Sequence, residues 1–351
     1  MSGGVDSSVT AALLKQQGYE VTGMMLRLWS EPGKEDSNRC CTPDSMSVAN
    51  RVAARLDIPF YVVDAKEIFR QTVVKSFLDG YAAGITPNPC LVCNRQIRWE
   101  FLLEHALALG AEFMATGHYA RTRKDEFGKI RLLKAVDPLK DQSYVLHVLT
   151  QDKLARAMFP VGEYQKSEIR KIASDFSLPA ATRHDSQDLC FLAGEDYRNF
   201  IERNLPEILA PGDIVDMSGS ILGRHSGLSR YTIGQRKGLG IPSPVPLYVL
   251  SKDAKQNTLV VGKADELGTR ELLVGEVNWP TGMPSQTSVI QAEVKSRYTA
   301  RAAGAVVHLQ DDSKKVRIVY EQSQRDITPG QAAVFYNGDV VLGGGIILAT
   351  R

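Results

Sequence analysis

Ser2-Gly3-Gly4-Val5-Asp6-Ser7-Ser8 stands at the start of the sequence and decides the fold of the first domain. An apolar stripe that includes Val9 and Leu13 comes next, and Gly18 ends it, which predicts a helix that begins within the quoted stretch. Glycines let a backbone approach a ligand closely, and amide groups at a helix N-terminus bind phosphate together with flanking hydroxyls. The stretch therefore predicts a phosphate-binding loop; the alternative is an ordinary serine-rich helix cap.

Helical and strand-like segments alternate up to about residue 190. Strands are predicted at 20–29, 60–64 and 113–117, and helices at 65–83 and 94–109. A further helix is predicted at 43–56, with Thr42 as its cap and Pro43 in its first position. This alternation predicts an α/β domain with a parallel sheet wrapped by helices.

The texture changes after about residue 197, where Gly, Pro and Ser become frequent. Residues 217–252 contain no Asp or Glu, and the basic residues there are Arg224, Arg230, Arg236, Lys237 and Lys252. Short strands are predicted at 289–294, 305–309, 316–320, 332–336 and 340–347, with a type I′ turn at Asn337-Gly338 and a bend at 343–345. We therefore expect three domains: a nucleotide-binding domain at 1–196, a small mixed domain at 197–270 and a β-barrel at 271–351.

Composition excludes several classes of protein. The 351 residues carry 42 Lys and Arg against 40 Asp and Glu, so the net charge of +2 does not point to any partner. No segment approaches the roughly 18 apolar residues of a membrane span. Five cysteines are too few for a disulfide scaffold, and their odd number without a signal peptide favours a reducing compartment, the cytoplasm.

Cysteines supply the second chemical signal. Thr86-Pro87-Asn88-Pro89-Cys90-Leu91-Val92-Cys93-Asn94 is a proline-stiffened loop that carries two thiols into a helix, where Cys93 is favoured as a thiolate. Cys190 lies in the motif DSQDLCF. Such thiols can be nucleophiles, metal ligands or a redox pair. Cys40 and Cys41 are interpreted as loop or core thiols.

Taken together, these motifs resemble the tRNA-specific 2-thiouridylases of bacteria and mitochondria, within the PP-loop ATP pyrophosphatases. The resemblance rests on SGGVDSS, GITPNPCLVCN, ATGHYAR, DPLKDQSYVL, FPVGEYQKSEIRKIA, DSQDLCF, TIGQRKGLGI and PGQAAVFYNGDVVLGGGII, and covers nearly the whole chain. The first motif lacks the Gly-Lys-Ser/Thr of a nucleotide-binding P-loop. PP-loops normally follow a buried strand; the sequence starts at Met1 without one, which indicates a late start or a truncation.

The resemblance implies an ATP-dependent sulfurtransferase that uses MgATP and tRNA. The residues it assigns to ATP are Ser2, Gly3, Gly4, Val5, Asp6, Ser7 and Ser8, with Leu26 and Gly117 beside the adenosine. Those it assigns to tRNA are Asn88, Pro89 and Cys90 at the target base, and Lys140, Asp141, Gln142, His118, Arg297, Tyr298 and Gln331 elsewhere. Arg236 and Lys237 of the acid-free segment are predicted to contact tRNA phosphates.

For sulfur transfer the resemblance implies Cys93 as the nucleophile and Cys190 as the persulfide carrier. Cys90 stands where much of the family has Asp, so a set of three thiols arises. We expect Cys90, Cys93 and Cys190 to hold a 4Fe-4S cluster with one open corner, which soft thiolates suit; the alternative is a persulfide on Cys190 that Cys93 resolves.

Other interpretations remain open from the sequence. The chain could be a nucleotide-gated RNA-binding module with structural zinc, held by the three thiols and His184. It could also be another PP-loop tRNA-modifying enzyme. The expected partners are tRNA, with Lys, Glu and Gln acceptors, and a cysteine desulfurase or sulfur-relay protein; no membrane is expected.

Overall fold

The computed structural model describes residues 1–34, 42–183, 189–284, 289–310, 314–325 and 327–350. Helices and parallel strands make up its first part, and antiparallel strands dominate the rest. Within these ranges no helix is both long and apolar enough to cross a membrane. Cys40, Cys41 and His184 lie outside the described residues.

The predicted loop leads into the first helix. Helix α1 spans Val5–Gln16 and begins directly after Gly4. Helix α2 spans Pro43–Leu56, and its cap Thr42 accepts a hydrogen bond from the Ser45 amide. Both the cap and Pro43 were predictable because each satisfies or removes an amide that a helix start leaves without a partner.

Parallel strand pairs form two small sheets in this first part. Strand β1 (Gly23–Arg27) pairs with β2 (Phe60–Asp64), and β3 (Met114–Ala115) pairs with β6 (Ala157–Met158). The predicted α/β architecture is therefore confirmed.

Two long helices flank the loop that precedes the paired cysteines. Helix α3 covers 66–82 and contains a π-helical stretch at Arg70–Val74; helix α4 covers 89–108 with a π-helical stretch at Cys93–Leu102. Helix α4 begins earlier than predicted, at Pro89, because the Asn88 side chain caps it. The cysteine pair consequently lies within the helix.

The remaining helices are short. They are α5 (Ser143–Leu146), α6 (Gln151–Leu154), α7 (Lys166–Asp175) and α8 (Tyr197–Asn204), with 3₁₀ turns at Pro160–Glu163, Cys190–Leu192, Pro206–Leu209 and Leu228–Arg230.

Two further sheets complete the fold. The central sheet has the order β8-β7-β10-β9 and comprises β7 (Gly212–Val215), β8 (Ile221–His225), β9 (Tyr248–Asp253) and β10 (Thr258–Gly262). The barrel comprises β11 (Thr269–Asn278), β12 (Val289–Lys295), β13 (Ala303–Leu309), β14 (Val316–Gln324), β15 (Ala332–Asn337) and β16 (Val340–Thr350). Pairing of β11 with β16 closes it, which confirms the predicted barrel.

Two local expectations in the barrel are wrong. The hairpin loop consists of Gly338 and Asp339, since Asn337 pairs with Val340 and only Gly338 of these residues has a positive φ. That pattern is typical of a type II′ turn. Residues 343–345 are part of β16 rather than a bend, and a Cβ on Gly344 would lie 2.7 Å from the His147 ring.

The barrel shares a hydrophobic core with the first domain. This junction core contains Trp99, Tyr144 and Leu146 from one side and Val334 and Tyr336 from the other, all almost fully buried. The hairpin of β4 (Ala120–Lys124) and β5 (Ile130–Lys134) extends the barrel sheet, because Leu133 pairs with Val340 of β16. Barrel and first domain are thus joined by packing and by a sheet.

Candidate functional site

The predicted phosphate-binding loop, Ser2–Ser8, is called the phosphate loop below and contains several internal hydrogen bonds. The Ser2 amide donates to Ser7 Oγ (3.1 Å), and the Ser7 and Ser8 hydroxyls donate to the Gly4 carbonyl (3.2 and 2.8 Å). Gly3 has φ 74°, and a Cβ there would collide with the Ser45 carbonyl. The loop backbone therefore adopts a path that glycine permits and larger residues do not.

Gly117, which the resemblance places beside the adenosine, packs against this loop. A Cβ on Gly117 would lie 2.8 Å from the Ser7 amide nitrogen. Leu26 lies on β1 and is half-buried against an aromatic cluster, defined by Phe69, Phe77, Tyr81, Phe191 and Phe200.

Side chains from distant parts of the chain surround Asp6. Its Oδ1 accepts a hydrogen bond from the Tyr119 hydroxyl (2.8 Å) and an ion pair from Lys166 Nζ (2.6 Å). On another side, Arg183 donates to the Gly3 carbonyl and to Ser45 Oγ (3.3 Å each) and pairs with Asp44. Sequence reasoning missed Tyr119, Lys166 and Arg183, because nothing in the linear pattern relates them to the loop.

Hydrogen bonds with the barrel fix the loop before the cysteine pair. The Thr86 amide donates to the Pro329 carbonyl (3.1 Å), and Gln331 Nε2 donates to the Thr86 carbonyl (2.9 Å). Asn88 Oδ1 accepts from the Cys90 amide (3.2 Å), and thereby starts helix α4. The side-chain amide of Gln331 thus binds the loop that leads into the helix of Cys90.

The three predicted cysteines lie in two environments. Cys90 is exposed in the first turn of α4, whereas Cys93 and Cys190 are half-buried and both pack against the aromatic cluster. The positive end of the helix acts mainly within the first turn, so it favours a thiolate at Cys90 more than at Cys93. The structure brings Cys93 and Cys190 onto one cluster and leaves Cys90 on the outer side.

This arrangement does not fit the expected iron–sulfur cluster. Among the described residues, no three His, Cys, Asp or Glu side chains are placed to hold a metal ion. A 4Fe-4S cluster needs its thiolates gathered around one centre. Because Cys90 is exposed while Cys93 and Cys190 are half-buried, and no such grouping occurs among the described residues, we derive no chemical step through such a group.

Several residues assigned to tRNA meet between the first domain and the barrel. The Gln142 side chain accepts from the Tyr119 amide (3.0 Å), and its own backbone amide donates to the Tyr119 carbonyl (2.7 Å). Tyr298 lies close by: burial raises the pKa of its hydroxyl, the charges of Asp141 and Cys90 raise it further, and a hydrogen bond with Gln142 lowers it. Pro89 is buried below Cys90.

Two residues assigned to tRNA are buried instead. The Asp141 carboxylate accepts hydrogen bonds from the Ala135 and Ser143 amides and from the Ser143 hydroxyl. The His118 ring is 8% exposed and lies 2.8 Å from Thr116 Oγ1. Their polar atoms are therefore engaged within the protein, whereas Lys140 and Arg297 are half-buried nearer the surface.

The acid-free segment is not a continuous basic surface. Arg230 pairs with Glu202 (3.0 Å), Arg224 lies 3.8 Å from Asp213, and Lys252 is half-buried, where desolvation lowers its pKa to about 8. Acidic residues outside the segment thus neutralise part of it. Arg236 and Lys237 remain exposed, beside a groove of about 610 Å³ lined by Arg236 and residues 238–247.

Known proteins match this chain throughout its length. Residues 1–194 match the profile of the "tRNA methyl transferase HUP domain", 198–263 the "tRNA methyl transferase PRC-barrel domain", and 269–347 the "Aminomethyltransferase beta-barrel domain". The tRNA-specific 2-thiouridylase MnmA of Magnetococcus marinus is 48% identical, over 99% of this chain and 97% of that protein. The chain belongs to the tRNA-specific 2-thiouridylase family.

Other members of the 2-thiouridylase family agree with this assignment. The tRNA-specific 2-thiouridylase MnmA of Geotalea uraniireducens is 46% identical over 99% of this chain and 93% of that protein. Among solved structures, an NMN synthetase from Francisella tularensis matches with a TM-score of 0.34 and 16% identity, over 57% of this chain and 73% of that chain. That similarity is too low to carry an argument.

Buried histidines make the stability of this 2-thiouridylase pH-dependent. Burial lowers the pKa of His118 to about 3 and that of His147 to about 4. Because both values lie below the value of about 6.5 in an unfolded chain, the contribution of the two neutral histidines to the free energy of unfolding is fully present above pH 6.5. It is lost as the pH falls, at about 1.4 kcal/mol per pH unit for each histidine. Thermal midpoints between pH 7 and 5 should fall less steeply in His118→Asn than in the unsubstituted protein; equal slopes would contradict the burial of a neutral ring.

Proposed function

We propose that this chain thiolates position 2 of the uridine at the first anticodon position of tRNA, in a reaction that consumes ATP. Membership of the 2-thiouridylase family supports the substrate and the product. The observation that carries the mechanism is that Cys93 and Cys190 pack on one aromatic cluster, in the domain that begins with the phosphate loop.

ATP serves to turn a poor leaving group into a good one. The uridine oxygen at position 2 forms a bond to the α-phosphorus of ATP, and the bond to the β-phosphate breaks, so that pyrophosphate leaves with the electron pair. Ser2–Ser8 hold the phosphates with Mg²⁺, and Leu26 and Gly117 lie beside the adenosine. The absence of a P-loop lysine within this loop is consistent with cleavage between the α and β phosphates.

Sulfur then replaces the activated oxygen. The terminal sulfur of a persulfide on Cys190 attacks carbon 2, and AMP leaves with the oxygen. Cys93 thiolate attacks the Cys190 sulfur, which forms a Cys93–Cys190 disulfide and releases the thiolated base. An external thiol must supply two electrons to reduce this disulfide before the next cycle. Cys90 acts in this scheme as a base or as a bystander.

The tRNA lies across the chain in this proposal. Asn88, Pro89 and Cys90 contact the target base, and Lys140, Gln142, Arg297 and Tyr298 contact the nucleotides around it. Three domains at 1–196, 197–270 and 271–351 contribute, the middle one through Arg236 and Lys237. The substrates are the tRNAs for Lys, Glu and Gln, the sulfur comes from a cysteine desulfurase or a relay protein, and the reaction takes place in the cytoplasm.

The cysteine roles can be tested by single substitutions. Thiolated uridine, AMP and pyrophosphate are measured after incubation with tRNA, ATP and a persulfide donor. Cys93→Ser and Cys190→Ser are expected to abolish thiolation, because each removes a bond-forming sulfur, while both still release pyrophosphate in the first turnover. Cys90→Ser is the comparison within the same helix: because Cys90 forms no bond to sulfur in this scheme, this variant should lose far less thiolation than the other two.

Three outcomes would contradict this proposal. Orthophosphate as the first product would exclude the adenylation step. Loss of thiolation in Cys90→Ser, together with about four irons per chain after anaerobic reconstitution, would favour the iron–sulfur cluster. Binding of tRNA without any turnover would favour a binding module.

The role of the central domain predicts a change in salt dependence. Arg236→Ala and Lys237→Ala should each weaken tRNA binding and reduce the slope of log affinity against log salt by about one phosphate contact. Arg230→Gln is the control, since Arg230 is already paired with Glu202. An unchanged slope in the Arg236/Lys237 double variant would exclude these residues from the interface.

A further inference from the structure

The phosphate loop contains no positively charged side chain of its own. Asp6 is the one ionisable side chain between Ser2 and Ser8. A polyphosphate bound to this loop would therefore meet a carboxylate, and the pyrophosphate that leaves would carry additional negative charge. Loops of the P-loop class solve this problem with a lysine inside the motif. In this chain any such cation must come from another element.

Lys166 brings an ammonium group to the loop from helix α7. It is the first residue of that helix, where Gln165 and Glu168 form a capping box. The Lys166 amide donates to Asp137 Oδ2 (3.0 Å), so its backbone is fixed from two sides. The side chain is 12% exposed and reaches Asp6 Oδ1 at 2.6 Å.

The residues around the Lys166 ammonium hold it in place, but its removal from water costs free energy. Its Nζ lies 5.5 Å from the centre of the Tyr119 ring, a distance at which the ring attracts a cation, and the Tyr119 hydroxyl binds the same Asp6 oxygen. Removing an ion pair from water costs about as much as the pair returns. The pair of Lys166 and Asp6 is therefore weak evidence for a role in stability alone.

Arg183, a second cation beside the loop, is engaged differently. Its guanidinium binds the Gly3 carbonyl, Ser45 and Asp44, and so ties the loop backbone to helix α2. Lys166 by contrast contacts the loop through the Asp6 side chain, which is 31% exposed. A ligand that enters the loop can compete for Lys166 without breaking the backbone of the loop.

We infer that Lys166 is a catalytic residue of the adenylation step. When ATP occupies the loop, the ammonium moves from Asp6 to the β-phosphate and stabilises the charge that develops on pyrophosphate as the bond to the α-phosphorus breaks. Asp6, released from the ion pair, would offer a carboxylate oxygen of the kind that holds Mg²⁺. This inference rests on the proposed function.

The test compares substitutions at Lys166 with a matched control on the same helix. Formation of AMP and pyrophosphate is measured with tRNA and MgATP as a function of ATP concentration. Lys166→Gln should lower kcat by about 10²–10³-fold, the effect of removing one group that stabilises a developing oxyanion, and should change KM for ATP much less. Lys166→Arg should recover part of the loss, and Lys171→Gln, an exposed position of α7, should equal the unsubstituted protein.

A second variant separates catalysis from support of the loop. Tyr119→Phe removes the other hydrogen bond to Asp6 and keeps the ammonium. Because the Tyr119 hydroxyl donates to the Asp6 carboxylate and not to the reacting phosphates, only part of the strength of this charge-assisted bond should appear in kcat, a loss of no more than about tenfold. An equal loss in Tyr119→Phe and Lys166→Gln would overturn the inference, because it would make Lys166 a support for Asp6.

The remaining outcomes are distinguishable. If the unsubstituted protein forms AMP and pyrophosphate and Lys166→Gln stays within a few-fold of it, the inference fails and the proposed function stands. If the unsubstituted protein forms neither product with any tRNA, both fail. Thermal midpoints of all variants are measured beside the kinetics, so that a loss of folding is not counted as a loss of catalysis.

Discussion

The hydroxyl of Tyr144 joins the two halves of the candidate site. It donates to the Ala332 carbonyl (2.9 Å) and accepts from the Ala332 amide (3.2 Å), inside the junction core and out of contact with water. A buried polar group that lost these partners would cost about 1–3 kcal/mol. These two hydrogen bonds therefore fix the position of the first domain relative to the barrel. Every feature of the site that uses both parts depends on this position.

From this junction, contacts run in two directions. Gln142 lies just before Tyr144 and binds the backbone of Tyr119, whose hydroxyl reaches Asp6 of the phosphate loop. On the barrel side, Gln331 precedes Ala332 and holds the loop before Cys90. The same junction thus positions the phosphate loop relative to the loop before Cys90. We interpret Gln331 accordingly as a positioning residue.

The features predicted correctly from the sequence are those with local causes. Pro43 and Thr42 satisfy a helix start by themselves, and the loop at Ser2–Ser8 needs glycine at position 3, where φ is positive. The missed features depend on residues far apart in the chain. Lys166 and Tyr119 reach Asp6 through tertiary packing, Glu202 outside 217–252 pairs with Arg230, and the burial of His118 depends on the core around it. The proposed set of three thiols depended on information of the same kind, since spacing along the chain did not reveal that Cys90 is exposed while Cys93 and Cys190 are half-buried.

The shared core makes the first domain and the barrel one structural unit. Fluorine NMR of protein labelled with fluorotryptophan can follow Trp99 in the junction core and Trp279 in the barrel during the same denaturant titration. We expect both signals to lose their folded positions with the same midpoint. A barrel signal that stays folded after the Trp99 signal has unfolded would contradict the shared core and the coupling of the two loops.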